Sequence, residues 1–187
     1  MIAEIGHFAL ILALVLSVVQ CVLPLVGAAR GIGSWMALAR TAAYANALFL
    51  TISFGTLAYS FYISDFTLLN VASNSNSLLP WFYKVAASWG SHEGSILFWA
   101  LMLTWWGFFV ALTSRKLPQE TVARVLGVMG FITAGFVAFM LFTSNPFLRL
   151  FPAAPEGADL NPLLQDPGMV FHPPLLYMGY VCLLYTS

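Results

Sequence analysis

Four apolar runs long enough to cross a bilayer alternate along this chain with short basic connections and long aromatic or proline-rich ones. The first, Ile5 to Val26, has about the length needed to cross roughly 30 Å of hydrocarbon at about 1.5 Å per residue. About Ala42 to Tyr62 makes the second span, Ser95 to Thr113 the third and Val122 to Phe142 the fourth. A fifth apolar stretch, Leu175 to Ser187, is too short to span. The pattern predicts an all-α, polytopic integral membrane protein with four complete transmembrane helices plus an incomplete fifth, and the chain reads as truncated at its C-terminus.

The connections differ in kind. Arg30 and Arg40 flank a short Gly- and Ser-containing link, and Ser114-Arg115-Lys116-Leu117-Pro118 makes another. From Ile63 to Ser91 the chain is polar and aromatic by turns. Asn70 to Ser77 reads as an exposed loop, and Leu78 to Lys84 as a segment on the membrane surface, with Trp81, Tyr83 and Trp89 at headgroup level. Ser144 to Pro174 holds seven of the chain's ten prolines. A segment of that length without helical periodicity is functional or disordered.

Composition narrows the class. At 60% hydrophobic and 7% charged, with a mean hydropathy of +0.87, the chain cannot cover a water-soluble globule. A formal net charge of zero leaves no basic face for nucleic acid. A cleaved signal peptide fits poorly, because Glu4 stands where a basic region is expected and the apolar run is too long. Cys21 and Cys182 each sit alone in apolar sequence and read as small buried residues. Arg30, Arg40, Arg115, Lys116 and Arg124 fall in the two connections after spans one and three, whereas Lys84 and Arg149 fall on the other side. The bias predicts an outside amino terminus, with both long loops facing outward.

Candidate chemistry sits in two motifs, both on that outer side. Trp89-Gly90-Ser91-His92-Glu93-Gly94-Ser95 places an ionisable pair between glycines just before span three. A zincin-type helix needs a second histidine four residues on, and position 96 is Ile96, so that chemistry fails. The bland reading is a polar pair capping the span, with Glu93 favoured by the helix dipole. The second motif is Val170-Phe171-His172-Pro173-Pro174. Two prolines suit a helix's first turn and would fix His172 at the lip of the fifth span, where a neutral imidazole is a suitable axial ligand for haem iron. An ordinary loop histidine satisfied by backbone carbonyls is the alternative. His7 reads as an interfacial histidine, and Trp105-Trp106, near mid-span, as helix packing.

Met1 to Leu10, the Trp89 to Ser95 stretch and Phe171-His172-Pro173-Pro174-Leu175-Leu176-Tyr177-Met178-Gly179-Tyr180 together resemble the amino-terminal part of the CcmF family of cytochrome c-type biogenesis proteins. The resemblance runs over almost the whole chain, so residues 1–187 are expected to form the amino-terminal part of a CcmF-type membrane domain. It implies a haem lyase component that accepts haem from a periplasmic CcmE-like haem chaperone. With CcmH-like maturation subunits, it helps attach haem to the Cys-x-x-Cys-His motif of apocytochrome c. The implied location is the bacterial inner membrane, with a periplasmic N-terminus. His172 matches the family's outer-face histidine that ligates haem iron; Trp89, His92, Glu93, Pro173 and Pro174 are expected to shape the site rather than touch iron. No catalytic residue is expected, and lyase activity only in a full-length chain. The family's Trp-rich segment, second outer histidine and intramembrane haem histidines belong to later parts of its sequence and are not in these residues. Residues from Cys182 onward do not match the expected continuation and carry no functional weight. Two alternatives remain: an NrfE-type paralogue serving a nitrite reductase, and a multi-spanning transporter in which His92 and Glu93 form a proton relay. The second expects ionisable residues inside several spans, and spans two to four contain essentially none.

Overall fold

The computed structural model describes residues 1–186, and the side chains of all of these except Leu163, Met169 and residues 181–186. The side chain of Cys182 therefore lies outside the described residues. The described chain is helical almost throughout: α1 (Ile2–Arg30), α2 (Gly33–Tyr62), α3 (Leu69–Asn74), α4 (Trp81–Gly90), α5 (His92–Thr113), α6 (Gln119–Phe142) and α7 (Pro167–Thr186). Four of them, α1, α2, α5 with the 3-10 turn that follows it, and α6, are long and apolar enough to cross a membrane. Consecutive spans run in opposite directions, giving a bundle with a basic end and a loop end.

Helix boundaries extend beyond the apolar runs because the ends are capped by local geometry. The expected link between Arg30 and Arg40 shrinks to Gly31 and Ile32. Gly31 adopts φ +70°, the left-handed conformation that suits glycine, and Ile32 N–H returns to the Gly27 carbonyl at 2.9 Å. α2 then starts at Gly33 rather than Ala42.

α1 packs against α2 and α6. Its buried residues Gly6, Ala9, Ala13, Ser17, Gln20, Pro24 and Gly27 recur every three or four positions and form a stripe of mostly small side chains facing α2 and α6. Across it, a Cβ on Gly130 of α6 would meet the Cys21 backbone nitrogen and the Gln20 side chain at 3.0 Å, so the two backbones approach closely. Cys21, one residue round from inward-facing Gln20, is half-buried rather than buried.

The middle of the bundle holds polar side chains that the sequence reading passed over. Asn46 Nδ2 donates to Gln20 Oε1 at 2.7 Å, Gln20 Nε2 to the Leu126 carbonyl at 2.8 Å, and Ser17 Oγ to Asn46 Oδ1 at 3.2 Å. All three residues are buried. The chain of bonds ties α1, α2 and α6 together where hydrocarbon offers no alternative partner. None of the three is ionisable, so the network offers no proton relay.

The two long connections pair with each other at the loop end. Leu69 N–H donates to the Leu148 carbonyl and Leu150 N–H to the Thr67 carbonyl, both at 2.9 Å, and Ala158 N–H to the Ala72 carbonyl at 2.7 Å. Arg149 adds bonds to Glu4 and Thr67. The stretch Asn70 to Ser77, expected as an exposed loop, instead begins inside the short helix α3. Asn70, Val71 and Ser75 are buried because residues 148–158 lie over them.

Candidate functional site

The first motif is a helix junction. α4 ends at Gly90 and α5 begins at His92, with Ser91 between them in extended conformation. Ser91 is the cap: its Oγ accepts from Gly94 N–H at 3.1 Å, satisfying a first-turn donor that has no partner inside the helix. The His92-Glu93 pair is thus not the cap. Gly94 is required by the fold, since a Cβ there would lie 1.7 Å from the Ser88 carbonyl oxygen. Glu93, half-buried in the first turn, sits where the helix dipole favours a carboxylate. His92 is exposed; its Nδ1 lies 3.1 Å from Ser144 Oγ, and its ring meets Phe139 edge-on at 6.4 Å. Ile96, Trp99, Phe136 and Phe139 line an apolar groove of about 490 Å³ beside it.

The second motif lies inside α7, not at its lip. The helix begins at Pro167, whose missing N–H costs nothing at a first helical position, and Val170 N–H already bonds to the Asp166 carbonyl at 3.2 Å. Pro173 and Pro174 fall in the second turn, so the expectation of prolines in the first turn is corrected. In that position each removes a helical hydrogen bond. Pro174 would have donated to the Val170 carbonyl, and the Trp89 indole Nε1–H takes its place at 3.2 Å.

That bond joins the two motifs. Trp89 is half-buried, stacked on Phe98 at 5.8 Å and bonded to α7. Trp81, by contrast, is 66% exposed. One turn deeper into α5, Ser95 Oγ and the Tyr177 hydroxyl share a hydrogen bond, and Tyr177 stacks on Trp99 at 5.9 Å with a 16° interplanar angle. Ser95 and Tyr177 lie within the quoted motifs, yet their pairing had no sequence signal, because neither spacing nor residue type says which helices touch. Trp105 donates to Thr51 Oγ1 at 3.1 Å between α5 and α2, a packing contact.

The docking fixes what α7 presents. Val170 and Tyr177 are seven residues apart and share the face turned toward α4 and α5. His172 lies about 200° round the helix from Val170, on the opposite face. It is exposed, among the exposed apolar side chains of Phe171, Leu175 and Leu176, and no described residue hydrogen-bonds it. No group of three His, Cys, Asp or Glu capable of holding a metal ion occurs among the described residues. The donor set fits a single imidazole ligand to an iron carried in a flat apolar macrocycle, and does not fit a closed metal site. The third loop-end histidine, His7, is half-buried and lies 3.3 Å from Asn145 Nδ2, a bonded position away from α7.

Residues 89–187 match the family model described as cytochrome C assembly protein. Over 182 residues the chain is 58% identical to the cytochrome c-type biogenesis protein CcmF of Pseudomonas aeruginosa and 52% identical to that of Escherichia coli K12. Over 181 residues it is 48% identical to the cytochrome c-type biogenesis protein NrfE of Haemophilus influenzae. Each alignment covers 97% of this chain and 28% of the relative, so the chain spans little more than a quarter of the length of the curated relatives it matches. A solved structure of the cytochrome c heme lyase CcmF superposes with a TM-score of 0.84 at 26% identity, covering 97% of this chain and 28% of that one.

Proposed function

Because this chain belongs to the cytochrome c assembly protein family, we propose that residues 1–187 form the amino-terminal part of a haem lyase for cytochrome c maturation, with His172 as an axial ligand of haem iron. The observation that carries the reading is the outward placement of His172. Its imidazole stands free on the face of α7 opposite the one that Trp89 and Tyr177 hold against α4 and α5. The bundle supplies a rigid wall, and α7 offers one ligand from it toward whatever packs on its open face.

In this reading haem, when bound, supplies vinyl groups for thioether formation with the cysteine thiols of an apocytochrome. The chain's own part is to hold and orient. His172 binds through a neutral ring nitrogen, and Phe171 and Leu175, 67% and 66% exposed, offer apolar surface to the macrocycle. Pro173 and Pro174 bring their ring carbons in place of backbone donors, and Trp89 restores the one bond that Pro174 removes. His92 and Glu93 shape the neighbouring outer surface. The partners are a periplasmic haem chaperone and apocytochrome c, met at the loop end. That end faces the periplasm across a bacterial inner membrane, as the five cations of the basic end favour.

No residue of this site separates the NrfE-type reading from it, and the stronger similarity to CcmF proteins favours the general lyase. In a strain whose only full-length copy carries His172→Ala, covalent haem staining of c-type cytochromes is expected to vanish while membrane insertion is unchanged. Normal cytochrome c levels in that strain would remove the ligand assignment.

A further inference from the structure

The basic end of the bundle carries a cleft that the haem chemistry does not use. It lies between the start of α2 and the segment running from the 3-10 turn Ser114–Lys116 into α6, with a volume of about 300 Å³. Two guanidinium groups line it, Arg40 and Arg115, along with Gln119 and the apolar side chains of Met36, Leu117 and Val122.

The charge here is unbalanced. Arg30, Arg40, Arg115, Lys116 and Arg124 gather at this end against a single acid, Glu120, and Glu120 is paired with Arg124. Among the described residues, Arg40 and Arg115 make no ion pair. Arg40 spends one Nη2 bond on the Ser114 carbonyl at 2.9 Å, which fixes its guanidinium at the cleft wall and leaves further donors of its fork available. Gln119 Nε2 donates to the Gly33 carbonyl at 3.0 Å and closes the opposite wall. The amino-terminal ends of α2 and α6 both lie at this end, and α2 has no acidic residue in its first turn. The carboxyl ends of α1 and α5 lie there too, so the helix dipoles oppose one another and the side-chain cations set the potential.

We propose that this cleft binds the headgroup of an anionic phospholipid from the leaflet that meets the basic end. Arg40 and Arg115 clamp the phosphate, while Met36, Leu117 and Val122 take the glycerol and the first acyl carbons. Two features favour a lipid over a soluble anion: the cations sit where the spans leave the membrane, and half of the wall is apolar. Basic pockets between membrane helices recognise acidic headgroups by this combination, and a guanidinium fork matches a phosphate where an ammonium does not.

The test is native mass spectrometry of the full-length protein in detergent, titrated separately with phosphatidylglycerol, phosphatidylcholine and inorganic phosphate. The wild type should retain phosphatidylglycerol at least ten-fold better than phosphatidylcholine. Arg115→Gln should lose one tightly held phosphatidylglycerol, Arg115→Lys should hold it several-fold more weakly, and Arg124→Gln should match the wild type. Arg115 is exposed and bonds to no described residue, so its replacements leave the fold in place. An unchanged phosphatidylglycerol count in Arg115→Gln overturns the proposal. So does displacement of the lipid by millimolar inorganic phosphate, which would mark a site for a soluble anion.

Discussion

At the scale of single residues, Trp89 carries an unusual load for a side chain that sequence reading assigns to the membrane interface. Its ring packs on Phe98 and its N–H repairs the hydrogen bond that Pro174 breaks. Trp89→Phe separates the two roles, because it keeps an aromatic ring and deletes the donor. Leaving the Val170 carbonyl unpaired is expected to cost about 1 kcal/mol of local stability, at the low end for an orphaned buried acceptor. Amide exchange at Leu175 and Leu176 should then be roughly five-fold faster than in the wild type, with the rest of the bundle unchanged. Equal protection in both proteins would mean that the bond does not hold α7. None of this was legible in the motif itself, where tryptophan, histidine and glycines announced a site without saying which of them touched it.

At the scale of elements, the proline-rich connection shows where sequence reading goes wrong and why. Its lack of periodicity is real, but order comes from partners distant in the chain. Besides the strand-like bonds to residues 67–72, Glu156 accepts from Ser77 N–H at 2.9 Å, Ser77 Oγ–H at 2.7 Å and Gly157 N–H at 3.0 Å. The Ser77 hydroxyl bond, then the Ser77 and Gly157 amides, hold its carboxyl below the usual glutamate range, with a smaller contribution from Lys84. A carboxyl whose folded pKa lies below its unfolded one stabilises above the unfolded value, about 4.3. That contribution fades as pH falls through the folded value. A fluorophore on Ala153→Cys should therefore show steady anisotropy from neutral pH to about 5 and a drop below about 4. In a Glu156→Gln background the step should be absent; a step of equal size there would assign the transition to another group. The spans, by contrast, were legible from hydropathy, since hydrocarbon admits few alternatives to a continuous helix. Their ends were not, because Gly31 and Ser91 cap helices beyond the apolar runs.

At the scale of the whole molecule, four spans pack together through small residues and one buried polar chain, and a further helix is held against their loop end. Gln20 and Asn46, lone amides in apolar runs, are the sequence signal for that chain of bonds, but residue type alone does not say which helices they join. The site divides the same way. His172 could be picked out by residue type and by resemblance to a family, whereas its outward direction depended on the pairing of Tyr177 with Ser95 and Trp99. The central proposal is that His172 presents its imidazole as an iron ligand, not as part of the helix's packing. Replacing it with glycine in the full-length protein and supplying imidazole in the medium tests that most directly. The account predicts that His172→Gly abolishes covalent haem staining of c-type cytochromes and that imidazole restores a measurable fraction of it. Loss that imidazole cannot restore, with α7 still protected from exchange, or no loss at all, would contradict it.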